Sequence, residues 1–186
     1  RKRTAGLRDG REIRPALVFL DQSGLGKSLC AELSNFKTPH VGVEAGPDFD
    51  KLATNRYRIN PRDPDHYRRL LVSIAADGVR IEQILHLWAF DLPVAEIATA
   101  EQLERSQDQG VYSLLFLVQA LAQRQEGATA VNLRVVARNS QCVLGDDESD
   151  FAKGPILGFI RSVTQEMPWL QCQHLDLPSD DPRANA

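Results

Sequence analysis

Short apolar runs alternate with longer stretches of helical periodicity along nearly the whole chain, and few folds accommodate that alternation. Ala16 to Leu20 (ALVFL) is a continuous apolar run, the pattern of a strand buried on both faces. Leu25, Leu29, Leu33 and Phe36 follow at helical spacing, and Pro39 acts as a stop. His40 to Glu44 (HVGVE) reads as a second strand closed by Ala45-Gly46-Pro47. Asp63-Pro64 then opens a helix, with a carboxylate to cap free amides and a proline suited to the first turn. Tyr67, Leu70, Leu71 and Ile74 give that helix one apolar stripe, and Gly78 is placed to end it.

The second half repeats the pattern. Ile84 to Phe90 (ILHLWAF) reads as a third strand, Pro93 to Ala100 as a loop, and Leu103 to Leu121 as the longest helical segment. Leu133 to Ala137 (LRVVA) is a fourth strand, and Asp146 to Asp150 (DDESD) is an acidic loop without the spacing of a calcium site. Ile156, Leu157, Ile160 and Val163 mark a last helix that stops near Met167-Pro168. Leu170 to Leu177 (LQCQHLDL) alternates as a fifth strand. Strand and helix at this spacing predict βαβ crossovers: an α/β fold, Rossmann-like, with a mostly parallel sheet and helices on both faces.

Composition narrows the function classes. At 186 residues, 42% hydrophobic and 25% charged, the chain suits one soluble domain with one substantial core. A net charge of -3 makes the whole molecule no electrostatic match for nucleic acid. The basic start RKRTAGLRDGREIR has no interleaved aromatics and reads as a solvated linker. No apolar run is long enough to span a membrane. Cys30, Cys142 and Cys172 are scattered without a C-x-x-C pair, so neither a disulfide framework nor a zinc site is expected, and a cytoplasmic setting is the default.

The stretch FLDQSGLGKS (19–28) carries the one nucleotide-like signal. Gly26-Lys27-Ser28 ends like a phosphate-binding loop, but the first glycine of that motif falls on Asp21, whose carboxylate would meet phosphate with like charge. Gly24 and Gly26 also fit the first two positions of a dinucleotide fingerprint, whose third position is Leu29. Glu44, about twenty residues on, stands where an acid would hold a ribose hydroxyl. In the short-chain reductase variant, T-G-x-x-x-G-x-G, the opening pair falls on Phe19-Leu20. That class also needs a tyrosine with a lysine four residues on, the lysine lowering the phenol's pKa. Tyr57, Tyr67 and Tyr112 are followed at that spacing by Pro61, Leu71 and Phe116.

Other chemistry is thin. There is no G-x-S-x-G elbow, and His40, His66, His86 and His174 have no metal-binding spacing. His86 and His174 fall within strands and read as structural, and Cys30 reads as a small core residue. No catalytic, cofactor-binding or metal-ligating residue is assigned.

A reductase-like scaffold without reductase chemistry resembles the structural, N-terminal subdomain of a modular polyketide synthase ketoreductase, a region related to its counterpart in animal fatty acid synthases. The likeness runs from Leu17 to Leu177 through LVFLDQSGLGKSLCAEL, VEAGPDF with INPRDPDHYRRLL behind it, ILHLWAFD, GVYSLLFLVQALA, LRVVARNSQCV and AKGPILGFIRSVTQEMPWLQCQHLDLP. It implies a truncated Rossmann fold over residues 15–178, a linker over 1–14 from an upstream domain, and a second linker over 179–186. It also implies that this half binds no cofactor, that NADPH and phosphopantetheine act elsewhere in the synthase, and that the partner is a catalytic half or another synthase domain. Members of this group continue into the catalytic half where this chain stops in PSDDPRANA. An excised fragment and a pseudo-ketoreductase are both expected readings of that ending. Two enzyme readings stand beside it: an NAD(P)-binding reductase using Gly24, Gly26 and Glu44, and a phosphate-loop nucleotidase.

Overall fold

A computed structural model of the chain describes residues 14–90, 99–124, 130–140 and 151–177. Seven strands form one sheet: β1 (Ala16–Phe19), β2 (His40–Ala45), β3 (Asp50–Ala53), β4 (Arg56–Ile59), β5 (Gln83–His86), β6 (Val131–Arg138) and β7 (Leu170–Leu177). Their order is β3-β4-β2-β1-β5-β6-β7. All neighbours run parallel except the β3–β4 hairpin. The connecting helices are α1 (Leu25–Asn35), α2 (Pro64–Ala76), α3 (Ala100–Gln107), α4 (Ser113–Gln123) and α5 (Gly154–Glu166).

Most of the predicted elements are present, with shifted ends. The first strand stops at Phe19, although the Leu20 amide still reaches the Val43 carbonyl at 2.8 Å. The third predicted strand is shorter than its apolar run: after His86 the chain turns through Leu87–Phe90, four residues buried at the head of the sheet. The β3–β4 hairpin was not anticipated. Every residue of β3 is exposed, so no apolar pattern marks it, and pairing with β4 alone makes it an edge strand. The acidic run 146–150, the loop 93–98 and both expected linkers except Arg14 lie outside the described residues.

Burial follows the strand period. Leu17 and Phe19 enter one apolar cluster, together with Tyr67, Leu70, Leu114, Leu117 and Ile156 from α2, α4 and α5. Ala16, Val18 and Leu20 enter a second, smaller cluster on which α1 lays Leu25, Leu29 and Leu33. The central strand is thus covered on both faces, as its unbroken apolar sequence requires. Cys30 packs half-buried beside that second cluster.

Helix ends obey local rules where those rules are strong. Asp63 accepts the Asp65 amide at 2.9 Å with Pro64 in the first turn, and Gly78, at φ +77°, follows the end of α2. The long helical segment is divided, however. Gly110 takes φ -94°, ψ -118° inside a wide turn at Asp108–Tyr112, separating α3 from α4. The kink turns Leu114, Leu117, Val118 and Leu121 of α4 onto the sheet and leaves Leu115 half-buried. Leu114→Ala should therefore cost about 2–5 kcal/mol in denaturant melts, and Leu115→Ala distinctly less.

Candidate functional site

The carboxyl ends of parallel strands are where an open α/β sheet binds ligands, and here they border a cleft of about 330 Å³. Leu20 and Asp21 after β1, Glu44 and Ala45 of β2, Trp88 after β5, Lys27 of α1 and Gln109 of the wide turn line it. The sequence singled out Asp21, Gly24, Gly26 and Glu44, and the fold brings all four to this end of the sheet.

Asp21 is 5% exposed, and its carboxylate faces the start of α1. One oxygen accepts the Ser23 hydroxyl at 2.5 Å and the amides of Gly24 and Leu25 at 2.8 and 2.9 Å. The other accepts the Gly26 amide at 2.5 Å. These groups are the unsatisfied donors of a helix N-terminus, which favour an anion. Burial pushes the Asp21 pKa upward, but the hydrogen bonds from Ser23, Gly26, Leu25 and Gly24 together outweigh it and hold the group below its ordinary value. The sequence reading placed Asp21 as a charge that would repel phosphate. In the fold it does more, because it sits on the amides a phosphate would use.

The two glycines serve that arrangement. Gly24 adopts φ +102°, a left-handed conformation that turns successive amides toward one point. Gly26 has no room for a side chain. A β-carbon there would lie 2.9 Å from Leu20 Cδ2 and 3.0 Å from both Asp21 Oδ1 and Leu87 Cδ1. Gly26→Ala should consequently destabilise the chain by about 1–3 kcal/mol through overpacking, read as a lower denaturant midpoint with unchanged m-value.

Glu44 is also engaged. Arg56 donates to its Oε1, and Arg58 Nη2 approaches Oε2 at 3.6 Å. Both arginines come from β4, the hairpin strand that the sequence did not reveal, so this pairing could not be read from residue spacing. Lys153 was missed as well. It is 1% exposed at the head of α5 and donates through Nζ to the Arg138 carbonyl at 2.7 Å. No motif marks it in the sequence, since the residue four before it is Ser149 and not a tyrosine.

The buried histidine is structural. His86 Nε2 lies 3.1 Å from Ser113 Oγ, whose proton goes to the Gly110 carbonyl at 2.8 Å, so the imidazole is the donor. Packed against Phe19 and Trp88, with ring centroids 4.9 and 5.5 Å away, its pKa is pushed down by burial to about 3. A histidine buried neutral stabilises the fold fully above its unfolded value near 6.5, and that stability is lost as pH falls toward 3. Wild-type unfolding free energy should fall between pH 6 and 4.5. His86→Gln should flatten that slope by about 1 kcal/mol per pH unit. His174 lies near Ser140 at 3.2 Å, and burial lowers its pKa against the opposing charge of Asp176. Among the described residues no group of side chains could hold a metal ion, and no helix is long and apolar enough to cross a membrane.

A mostly parallel sheet in this order, with a glycine turn between β1 and α1, makes a Rossmann-like fold, similar to that of short-chain dehydrogenases/reductases. The chain belongs to the family described as beta-ketoacyl synthase-like, N-terminal, whose model matches residues 15–185. Among solved structures it is similar to a keto acid-selecting NRPS module containing adenylation, ketoreductase and pseudo Asub domains. That match has 24% identity and a TM-score of 0.81, and covers 95% of this chain and 15% of that one. It is similar also to an N-terminal ketoreductase from the macrolactin assembly line, at 17% identity and TM-score 0.72, covering 90% of this chain and 33% of that one. A short-chain dehydrogenase/reductase family oxidoreductase from Brucella ovis, solved with a partially ordered NAD, matches at 12% identity and TM-score 0.66, over 89% of this chain and 83% of that one. At these identities the likeness establishes the fold. The chain spans a third or less of the first two structures. No curated protein matches it.

Proposed function

We propose that the chain is a non-catalytic structural subdomain of a ketoreductase region in a modular polyketide synthase, supporting a neighbouring catalytic domain during chain assembly. The observation that carries this reading is the Asp21 carboxylate on the amides of Gly24, Leu25 and Gly26. With that anion already in place, a dinucleotide's pyrophosphate would have to displace a buried carboxylate held by four hydrogen bonds. Glu44, tied to Arg56, would have to give up a partner before holding a ribose.

In this reading residues 15–178 are the subdomain, with 1–14 and 179–186 connecting it to its neighbours. The chain works in the cytoplasm, and NADPH and phosphopantetheine serve other domains of the synthase. The likeness to ketoreductases within multidomain assemblies supports a partner in the same protein. An inactive βαβ unit is useful in such a setting if one face docks a catalytic half, because tethering makes a modest interface sufficient. The second reading, an NAD(P)-binding reductase using Gly24, Gly26 and Glu44, has in its favour only that both glycines keep the turn geometry.

Two measurements test the proposal. Calorimetric titration of the chain with NADPH or NADH should show no micromolar binding. Added in trans to a catalytic half from the same module, the chain should raise that half's solubility or ketoreductase turnover. Micromolar nucleotide affinity would overturn the non-catalytic role. No response in turnover or pull-down at concentrations well above micromolar would overturn the scaffold role.

A further inference from the structure

The two edges of the sheet differ in how they meet solvent. An edge strand offers unpaired backbone donors and acceptors to any strand that approaches, and proteins guard such edges with short length, charge, proline or a bulge. β3 is guarded in three of these ways. It has four residues, includes Asp50 and Lys51, and breaks register with β4 between Lys51 and Ala53. β7 is not guarded. It keeps register with β6 from Leu170 to Leu177, has no strand on its other side among the described residues, and contains no lysine, arginine, proline or glycine.

The side chains of β7 are self-complementary. Cys172, His174 and Asp176 are half-buried on the side where α5 packs, and Gln171, Gln173, Leu175 and Leu177 are exposed on the other. Leu175 and Leu177 are 43% and 37% exposed. The nearest cations on that open face, Arg134 and Arg138, lie one strand in, and Arg134 is held by the side-chain oxygens of Gln83 and Gln173 at 3.0 and 3.1 Å. Opposite residues of an antiparallel pair share a face, and a two-fold axis makes every contact reciprocal. An axis through Leu175 would set Leu175 against its own copy, Gln173 against Leu177, and His174 against Asp176 in both directions. Apolar then meets apolar at the axis, an imidazole meets a carboxylate twice, and no like charges face one another. Other registers fit less well: an axis through Gln173 sets Asp176 against the buried Leu170, and one through His174 sets two imidazoles together.

We infer that β7 is a self-association edge: a second copy of this chain pairs with it antiparallel about Leu175, joining the two sheets into one. Main-chain hydrogen bonds supply the affinity, and the side chains on the two faces fix the register. The pairing covers the unguarded edge and leaves the β3–β4 hairpin at the far edge free. It does not depend on whether the cleft at the strand ends holds a nucleotide.

Sedimentation equilibrium of the full chain, from micromolar to submillimolar concentration, should show a reversible monomer–dimer equilibrium. Leu175→Lys sets two ammonium groups against each other at the axis and should weaken the dimer by about tenfold or more. Leu175→Cys should form a disulfide-linked dimer under mild oxidation, because directly opposite positions bring their Cα atoms within disulfide reach. Gln171→Cys, which does not meet its own copy in this register, should crosslink no more than the wild type. A chain that stays monomeric over the whole range would overturn the inference, and so would a dimer that Leu175→Lys leaves intact. If circular dichroism shows that Leu175→Lys does not fold, Leu175→Cys decides alone, and a yield of crosslinked dimer no higher than in the wild type or Gln171→Cys would overturn it.

Discussion

The arrangement at the head of the sheet depends on one carboxylate and four donors. A strand that ends at Phe19 and a helix that starts at Leu25 must reverse the chain within five residues, which leaves the first amides of α1 bare. Asp21 satisfies three of them and the Ser23 hydroxyl besides. Because the carboxylate is buried and bonded at both oxygens, it fixes the loop's shape and with it the seat of α1 on the smaller apolar cluster. The amides that a cofactor's phosphates would take in a dinucleotide-binding turn are here bonded to a side chain of the chain itself.

The rest of the sheet head follows the same economy of internal partners. Glu44 is matched by Arg56 and Arg58, Lys153 by the Arg138 carbonyl, and His86 by Ser113 at the kink before α4. The charged members of this set, Glu44 and Lys153, each find a partner within the chain, while the buried imidazole of His86 meets the Ser113 hydroxyl through Nε2. Burial and hydrogen bonding hold Asp21 ionised and His86 neutral across the physiological range, which suits permanent structure better than proton transfer.

How much was legible in the sequence depended on whether the signal was local. The central strands announced themselves as apolar runs because they are buried on both faces, and β7 was found at its observed ends because one face alternates with the other. The Asp63-Pro64 start and Gly78 end of α2 were legible for the same reason: capping is decided within a few residues. The β3–β4 hairpin was not legible, since β3 buries nothing, and with it went the arginines that engage Glu44. The kink at Gly110 was hidden because leucine periodicity continues on its far side. Asp21 was legible as the residue that stands where a phosphate loop has its first glycine. Its role as the group filling the loop depends on a backbone turn that residue spacing does not specify.

The central claim is that the nucleotide end of this fold is closed by the chain's own anion. It is tested most directly by a crystal structure of the wild-type chain grown with millimolar NADPH. The account predicts Asp21 on the amides of Gly24, Leu25 and Gly26, with no pyrophosphate in the loop. A dinucleotide with its phosphates on those amides and Asp21 swung into solvent would contradict it.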